Sequence, residues 1–220
     1  MKRSSLRYLL LTGRADQAWF SAAFLALFAI IGVIRGPEFI LDTTRAYLGA
    51  VVPLLGGILA AYAVLDDPAL ELRFATPIPA AQTLLERLSV IFVIQGLTAL
   101  AFQVVALRLG VDPAPIGSWF DVQLAWLMPT LALMALGCLA ALASAQPVTG
   151  AVLTGLVWIV QLVARGWFAQ HAIGRYFLVF MSPLMTDHPA LRANQLTLTL
   201  VSLGFFVLAW RLLHRQERYL

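Results

Sequence analysis

A few polar side chains interrupt the apolar stretches of this sequence, and they are the first candidates for chemistry. Trp158, Gln161 and Arg165 follow one another at helical spacing, which places them on one face of an α-helix. An indole N–H, an amide and a guanidinium offer hydrogen bonds and a positive charge to a solute. We interpret this stripe as a candidate wall of a polar path. Alternatively, Arg165 extends to the polar edge of the apolar layer while its stem stays within it.

Gln95 and Gln103 are further candidates, because both amides lie inside one apolar run. An amide in hydrocarbon needs a partner or water. Two interpretations therefore stay open for each of them: a hydrogen bond between helices, or a place along the same path.

The sequence lacks the usual patterns of enzyme chemistry. A phosphate-binding P-loop requires a lysine, and the only lysine is Lys2, so we expect no nucleotide site of that kind. The histidines His171, His188 and His214 lack metal-ligand spacing, and there is no Gly-x-Ser-x-Gly turn. Cys138, the single cysteine, lies in an apolar run. We predict a chain that is not itself an enzyme and holds no cofactor or metal.

The composition indicates the elements that must position these residues. The chain has 220 residues, 61% of them hydrophobic and 12% charged, with a mean hydropathy of +0.86. This is typical of a polytopic membrane protein. Because a spanning helix needs about 20 apolar residues, we predict an all-α membrane protein with six transmembrane helices. The predicted spans are residues 17–34, 46–65, 89–107, 122–143, 148–164 and 196–213.

The distribution of positive charge predicts the orientation of the chain. With both termini in the cytoplasm, nine basic residues lie on the inner side and six on the outer side, in the sense of the positive-inside rule. The inner ones are Lys2, Arg3, Arg7, Arg14, Arg73, Arg87, Arg211, Arg215 and Arg218; the outer ones are Arg35, Arg45, Arg108, Arg165, Arg175 and Arg192. We predict an N-terminal interfacial helix over Met1 to Asp16, and a solvated Asp121 at an outer helix end.

The connection over residues 165–195 contains a short apolar segment, Tyr176 to Met181, which is too short to cross a bilayer. It is either a loop helix packed over the bundle or an outer gate. Closely spaced small residues, such as Gly56 with Ala60, allow close helix packing within one chain or in a dimer.

A charged segment between the second and third spans has its own helix signals. Asp66 or Asp67 can cap a helix that Pro68 opens, and Leu70 and Phe74 lie one turn apart on one face. The pattern predicts a short amphipathic helix on the cytoplasmic membrane surface, with Leu70 and Phe74 in lipid or against a partner.

The segment Ala69-Leu70-Glu71-Leu72-Arg73-Phe74-Ala75-Thr76-Pro77-Ile78-Pro79 resembles the cytoplasmic segment that follows the second span in ABC-2 type permeases, the membrane subunits of one class of ABC transporters. Leu84-Leu85-Glu86-Arg87-Leu88 is similar to that family's leucine-rich start of the third span. Six spans, a basic N-terminal helix and an apolar connection before the last span match the family's layout. Asp66-Asp67-Pro68-Ala69 departs from it, because many members have a Glu-rich stretch and a glycine there.

The resemblance implies a permease that exports a hydrophobic or amphipathic compound from the cell across the inner (plasma) membrane. In that family, residues 66–79 would form a coupling helix that docks on a separate ATPase subunit. Leu70 and Phe74 would be its apolar anchors, Glu71 and Arg73 would make polar contacts at the edge of the groove on that subunit, and Leu72 would be a further partner-binding residue. ATP and Mg would be held by the ATPase, and a second permease copy or paralogue would complete a dimer. The alternatives are a haem-exporter type permease and a membrane scaffold or assembly subunit without a transport path of its own.

Overall fold

The computed structural model describes residues 15–63, 65 and 80–213. In this part of the chain all regular structure is helical. The long helices are α1 (Ala15–Arg35), α2 (Pro37–Tyr62), α3 (Ala80–Arg108), α4 (Trp119–Ser144), α5 (Pro147–Val163) and α8 (Leu191–Leu213). Between the last two lie α6 (Arg165–Gln170), a 3-10 turn (Gly174–Phe177) and α7 (Met181–Leu184). The predicted interfacial helix, Met1 to Asp16, lies outside the described residues except for Ala15 and Asp16, which begin α1. The predicted coupling helix, residues 66–79, lies outside the described residues.

Five of these helices, α1, α2, α3, α4 and α8, are long and apolar enough to cross a membrane. The prediction of an all-α membrane protein is confirmed to this extent. The remaining apolar helix, α5, has 17 residues, which is the lower end of the range of about 17–25 for a spanning helix. The crossing by α5, and with it the six-span arrangement, stays a prediction.

The helix that contains the second predicted span begins at Pro37, nine residues before the predicted start of that span at residue 46. Gly36 ends α1 with φ 82°, and Pro37 fits the first turn of the next helix. The polar residues Thr43 and Thr44 are buried within the helix. Their hydroxyls donate to the carbonyls of Phe39 (3.0 Å) and Ile40 (2.8 Å) one turn back, so their polarity is satisfied locally.

The last span also begins earlier than its predicted start at residue 196. Its first residues include Asn194 and Gln195, both buried, and the side-chain amide nitrogens of both donate hydrogen bonds. Asn194 Nδ2 donates to the carbonyls of Arg175 (2.9 Å) and Leu178 (3.0 Å), and Gln195 Nε2 donates to Ser182 Oγ (3.1 Å). Asn194 and Gln195 therefore belong to the start of the helix and fasten it to the connection, although their low hydropathy left them out of the predicted span.

The central helix of the bundle is α4, which packs against α2, α5 and α8. Glycines permit the closest approach: a Cβ at Gly137 of α4 would overlap the carbonyl oxygen of Gly57 in α2, and one at Gly150 of α5 would lie 2.6 Å from the carbonyl oxygen of Gly137. Gly56, predicted to allow close packing, meets Thr130 within the chain. Backbones can approach this closely only where no side chain intervenes.

Two apolar clusters fill the bundle, one near each end. The first includes Ile40, Tyr47, Phe102, Val122 and Trp126, near the turns that join α1 to α2 and α3 to α4. The second joins the opposite ends of α2, α3, α4 and α8 and includes Leu59, Leu84, Ile91, Leu142 and Leu213. Large apolar side chains also cover the outside of α1, α3, α5 and α8, the expected surface for helices that face lipid rather than water.

Candidate functional site

The predicted stripe does not lie on one continuous helix, because α5 ends at Val163 and Arg165 begins α6. Two of its three residues reach a cavity at the end of the bundle that carries the 165–195 connection. Trp158 and Arg165 line this cavity, which has a volume of about 290 Å³. Its other lining residues are Phe28 of α1, Arg45, Ala46, Gly49, Ala50 and Val51 of α2, Leu162 of α5, and Phe180, Pro183 and Leu184 of the connection. We call it the outer cavity, after the side on which the sequence predicts it.

One wall of the outer cavity is a π-helical turn, Tyr47–Val51, within α2. The Trp158 indole N–H donates to the carbonyl of Ala50 in this turn, at 2.9 Å. A π-turn disturbs the regular α-helical hydrogen-bond ladder and occurs often at functional sites. The indole supplies a partner to that backbone, so Trp158 ties α5 to the irregular part of α2.

Gln161 has a different role from its neighbours on the stripe. It is 8% exposed, and its Oε1 accepts a hydrogen bond from the backbone N–H of Val179 at 2.8 Å. Leu178, Phe180 and Met181, which flank this bond, form a buried cluster against Trp158 and Leu162. The amide thus holds the apolar segment of the connection on the bundle and is not among the cavity's lining residues.

The structure does not bring Gln95 and Gln103 to the outer cavity. Gln95 is fully buried, and its Nε2 donates to Ser21 Oγ of α1 at 2.9 Å. Gln103 exchanges hydrogen bonds with Gln123 of α4, at 3.3 and 2.8 Å. Both amides therefore make hydrogen bonds between helices. This agrees with the first of the two interpretations that stayed open for them, and not with a place along the path.

Arg45 is the residue of this site that the sequence analysis did not select. Its Nη2 donates to the carbonyl of Pro115 at 3.2 Å, and its Nη1 lies 3.9 Å from Asp42 Oδ1. Its Nε is buried without a hydrogen-bond partner among the described residues. The sequence signal is an arginine followed directly by an apolar run, but the predicted second span begins one residue later and so leaves Arg45 outside it.

The prediction of a simply solvated Asp121 is wrong. Its carboxylate accepts from the backbone N–H of Ser118 (3.0 Å) and the Ser118 hydroxyl (2.7 Å), in a capping box that starts α4. It also pairs with Arg192 Nη2 of α8 at 2.6 Å. The pair joins the starts of α4 and α8, which face each other at the same end of the bundle.

The predicted contact residues of the coupling helix, Leu70, Glu71, Leu72, Arg73 and Phe74, lie outside the described residues. The helices on either side of them are described. Arg87 Nη1 donates to the carbonyl of Ala63 at 2.6 Å, which joins the end of α2 to the first part of α3. Leu84 and Leu88 pack into the same apolar cluster as Leu59 and Ala60.

Among the described residues no group of three or more His, Cys, Asp or Glu side chains lies close enough to hold a metal ion. Comparison with models of protein families, with curated proteins and with solved structures gives no match for this chain. The fold therefore places the chain in the class of α-helical proteins, with five helices that are long and apolar enough to cross a membrane. Its site is a small, largely apolar cavity with two arginines.

Proposed function

We propose that the chain is the membrane permease subunit of an ABC transporter of the ABC-2 type, and that it exports a hydrophobic or amphipathic compound. It would lie in the inner (plasma) membrane with both termini in the cytoplasm. A separate ATPase subunit would bind ATP and Mg and supply the energy. A second permease, identical or paralogous, would complete the dimer.

The observation that carries this proposal is the segment Ala69 to Pro79, which resembles the family's coupling segment and lies between two apolar helices of this bundle. The geometry on either side supports a coupling role. Because the Arg87 side chain binds the Ala63 carbonyl, the two helices that flank the segment in the sequence are linked to each other. A displacement of a docked coupling helix would then move α2 and α3 together, and with them the packed α4.

The substitution Phe74→Asp tests the coupling role. We expect it to abolish co-purification with the partner ATPase and the stimulation of its ATP hydrolysis, because a carboxylate cannot replace a buried aromatic anchor. The matched control is Phe120→Asp. Phe120 is 60% exposed at the start of α4, at the opposite end of the bundle, where an acidic residue suits the helix terminus.

ABC ATPases encoded beside this chain are the first partners to test. If the Phe74→Asp variant binds and stimulates them as well as the Phe120→Asp variant does, residues 66–79 are not a coupling helix.

The alternative function is a membrane scaffold or assembly subunit without its own path. The exchange of hydrogen bonds between Gln103 and Gln123 favours it, and so does the bond that Gln95 Nε2 donates to Ser21, because these side chains bind other protein groups in the described part of the chain. Substrate-stimulated ATP hydrolysis in reconstituted vesicles distinguishes the two functions. A permease complex responds to substrate, whereas a scaffold complex does not.

A further inference from the structure

The outer cavity combines an apolar lining with charge of one sign. Of its twelve lining residues, Arg45 and Arg165 are the only charged ones, and no acidic residue lines it. The nearest described carboxylate, Asp42, is 3.9 Å from Arg45, and its side chain is 65% exposed. An ion pair this long and this solvated neutralises little of the arginine's charge.

Both guanidinium groups have hydrogen-bond donors to spare. Arg45 uses one terminal nitrogen on the Pro115 carbonyl, while its buried Nε has no partner in the described part of the chain. Arg165 makes no hydrogen bond or ion pair with the residues that the structure describes. A buried donor without a partner is unfavourable, and guanidinium forks match the oxygens of carboxylates and phosphates.

The size and walls of the cavity suit one apolar chain. Its volume of about 290 Å³ is close to the lower limit of the range of about 300–1,000 Å³ for small-molecule sites. Trp158 and Phe180 meet edge to face, with ring centroids 5.9 Å apart. The indole is also fixed by its bond to Ala50, so this wall is already formed.

We propose that the outer cavity binds a single-chain anionic amphiphile, with its carboxylate or phosphate held by Arg45 and Arg165 and its chain against Phe28, Trp158 and Phe180. The anionic headgroup accepts hydrogen bonds from the guanidinium N–H groups that have no other partner. The hydrocarbon chain of the ligand exchanges its contacts with lipid for contacts with the cavity walls. This site does not depend on the transport function proposed above, because a ligand bound there is equally able to be a cargo or a lipid that stabilises the fold.

Fluorescence of Trp158 tests the proposal directly. The probe is 11-bromoundecanoic acid, whose bromine quenches an indole that it contacts, added to the full-length protein in neutral detergent. We expect saturable quenching in the original chain and loss of that component in the Trp158→Phe variant. Unchanged quenching in Trp158→Phe would overturn the proposal, because the probe would then bind elsewhere.

Headgroup recognition is tested with the neutral analogue 11-bromoundecanol and with the Arg165→Gln variant. The acid should bind the original chain about tenfold more tightly than the alcohol, and Arg165→Gln should remove about that factor for the acid alone, as expected for one charge-assisted hydrogen bond. Arg165 is exposed, so its replacement leaves the core intact. Equal affinities of acid and alcohol would overturn the proposal.

The matched control is Arg108→Gln, because Arg108 is an exposed arginine at the same end of the bundle that does not line the cavity. It should leave the affinity for the acid unchanged. An equal loss in Arg108→Gln and Arg165→Gln would overturn the proposal in favour of general surface charge.

A final arm separates two sources of the ligand, in phosphatidylcholine nanodiscs with lysophosphatidic acid added as competitor. Displacement of the brominated acid identifies a lipid phosphate as a ligand of the site. Retention of the brominated acid identifies a site for free carboxylic acids.

Discussion

Arg45 and Gln161 show that the residue type alone does not determine the role of a polar side chain in an apolar bundle. Both are polar residues at the same end of the bundle, yet Gln161 satisfies one backbone N–H of the connection, whereas Arg45 keeps an unpaired donor beside a cavity. The sequence pattern predicts Gln161 in the wall of a polar path and gives Arg45 no role in a site. Helical spacing predicts Trp158 and Arg165 on one face of a single helix, but α5 ends at Val163 and Arg165 begins α6. It is the tertiary structure that brings both side chains to the same cavity.

A residue-scale prediction concerns the structural role of Gln161. The substitution Gln161→Leu should lower the free energy of unfolding by about 1–2 kcal/mol, because it leaves the buried Val179 N–H without its acceptor. Thermal or denaturant unfolding in detergent micelles measures this. Gln170→Leu is the control, since Gln170 is exposed at the end of α6. Equal stabilities of the two variants would refute the anchoring role.

At the scale of the elements, α2 differs most from its prediction. The hydropathy pattern placed the second span after Arg45, but the helix begins at Pro37 because threonine hydroxyls bond back to the helix and the turn after Gly36 is tight. Its π-turn, Tyr47–Val51, had no sequence signal that we identified. We attribute this turn to tertiary packing, because the Trp158 indole donates to the Ala50 carbonyl and the Pro183 ring packs against Gly49.

The contact of α2, α4 and α5 through glycines gives an element-scale prediction. Gly137→Ala should destabilise the fold by about 1–3 kcal/mol, the usual cost of overpacking, because the added methyl overlaps the backbone of Gly57. Unfolding in detergent measures the loss. Gly155→Ala, on α5 with nothing within 4 Å of the added carbon, should be neutral or slightly stabilising from helix propensity. Similar destabilisation by both would contradict the proposed close contact.

At the scale of the whole molecule, the short helix α5 decides the topology. Gln146 and Ala172 are exposed residues on either side of it. A helix of 17 residues is about 25 Å long at about 1.5 Å per residue, so it reaches across a hydrocarbon layer of about 30 Å only with some bilayer thinning or with help from its flanks. The predicted orientation places Gln146 in the cytoplasm and Ala172 outside.

Thiol labelling tests this topology in a Cys138→Ala background, which removes the only native cysteine. A membrane-impermeant maleimide should label the Ala172→Cys variant in intact cells, and should label the Gln146→Cys variant only after permeabilisation. Labelling of both variants from the same side would show that α5 does not cross. A reversed pattern would show that the termini are external.

The sequence by itself determined the membrane character and the approximate place of each long helix. These follow from local properties: the length of apolar runs, helical periodicity, and proline and glycine stereochemistry. Only the tertiary structure brought Arg45 to the same cavity as Arg165, paired Gln103 with Gln123, and joined Gly57, Gly137 and Gly150. Such contacts depend on the rotation and crossing of helices far apart in the chain, which are set by how all their surfaces pack at once.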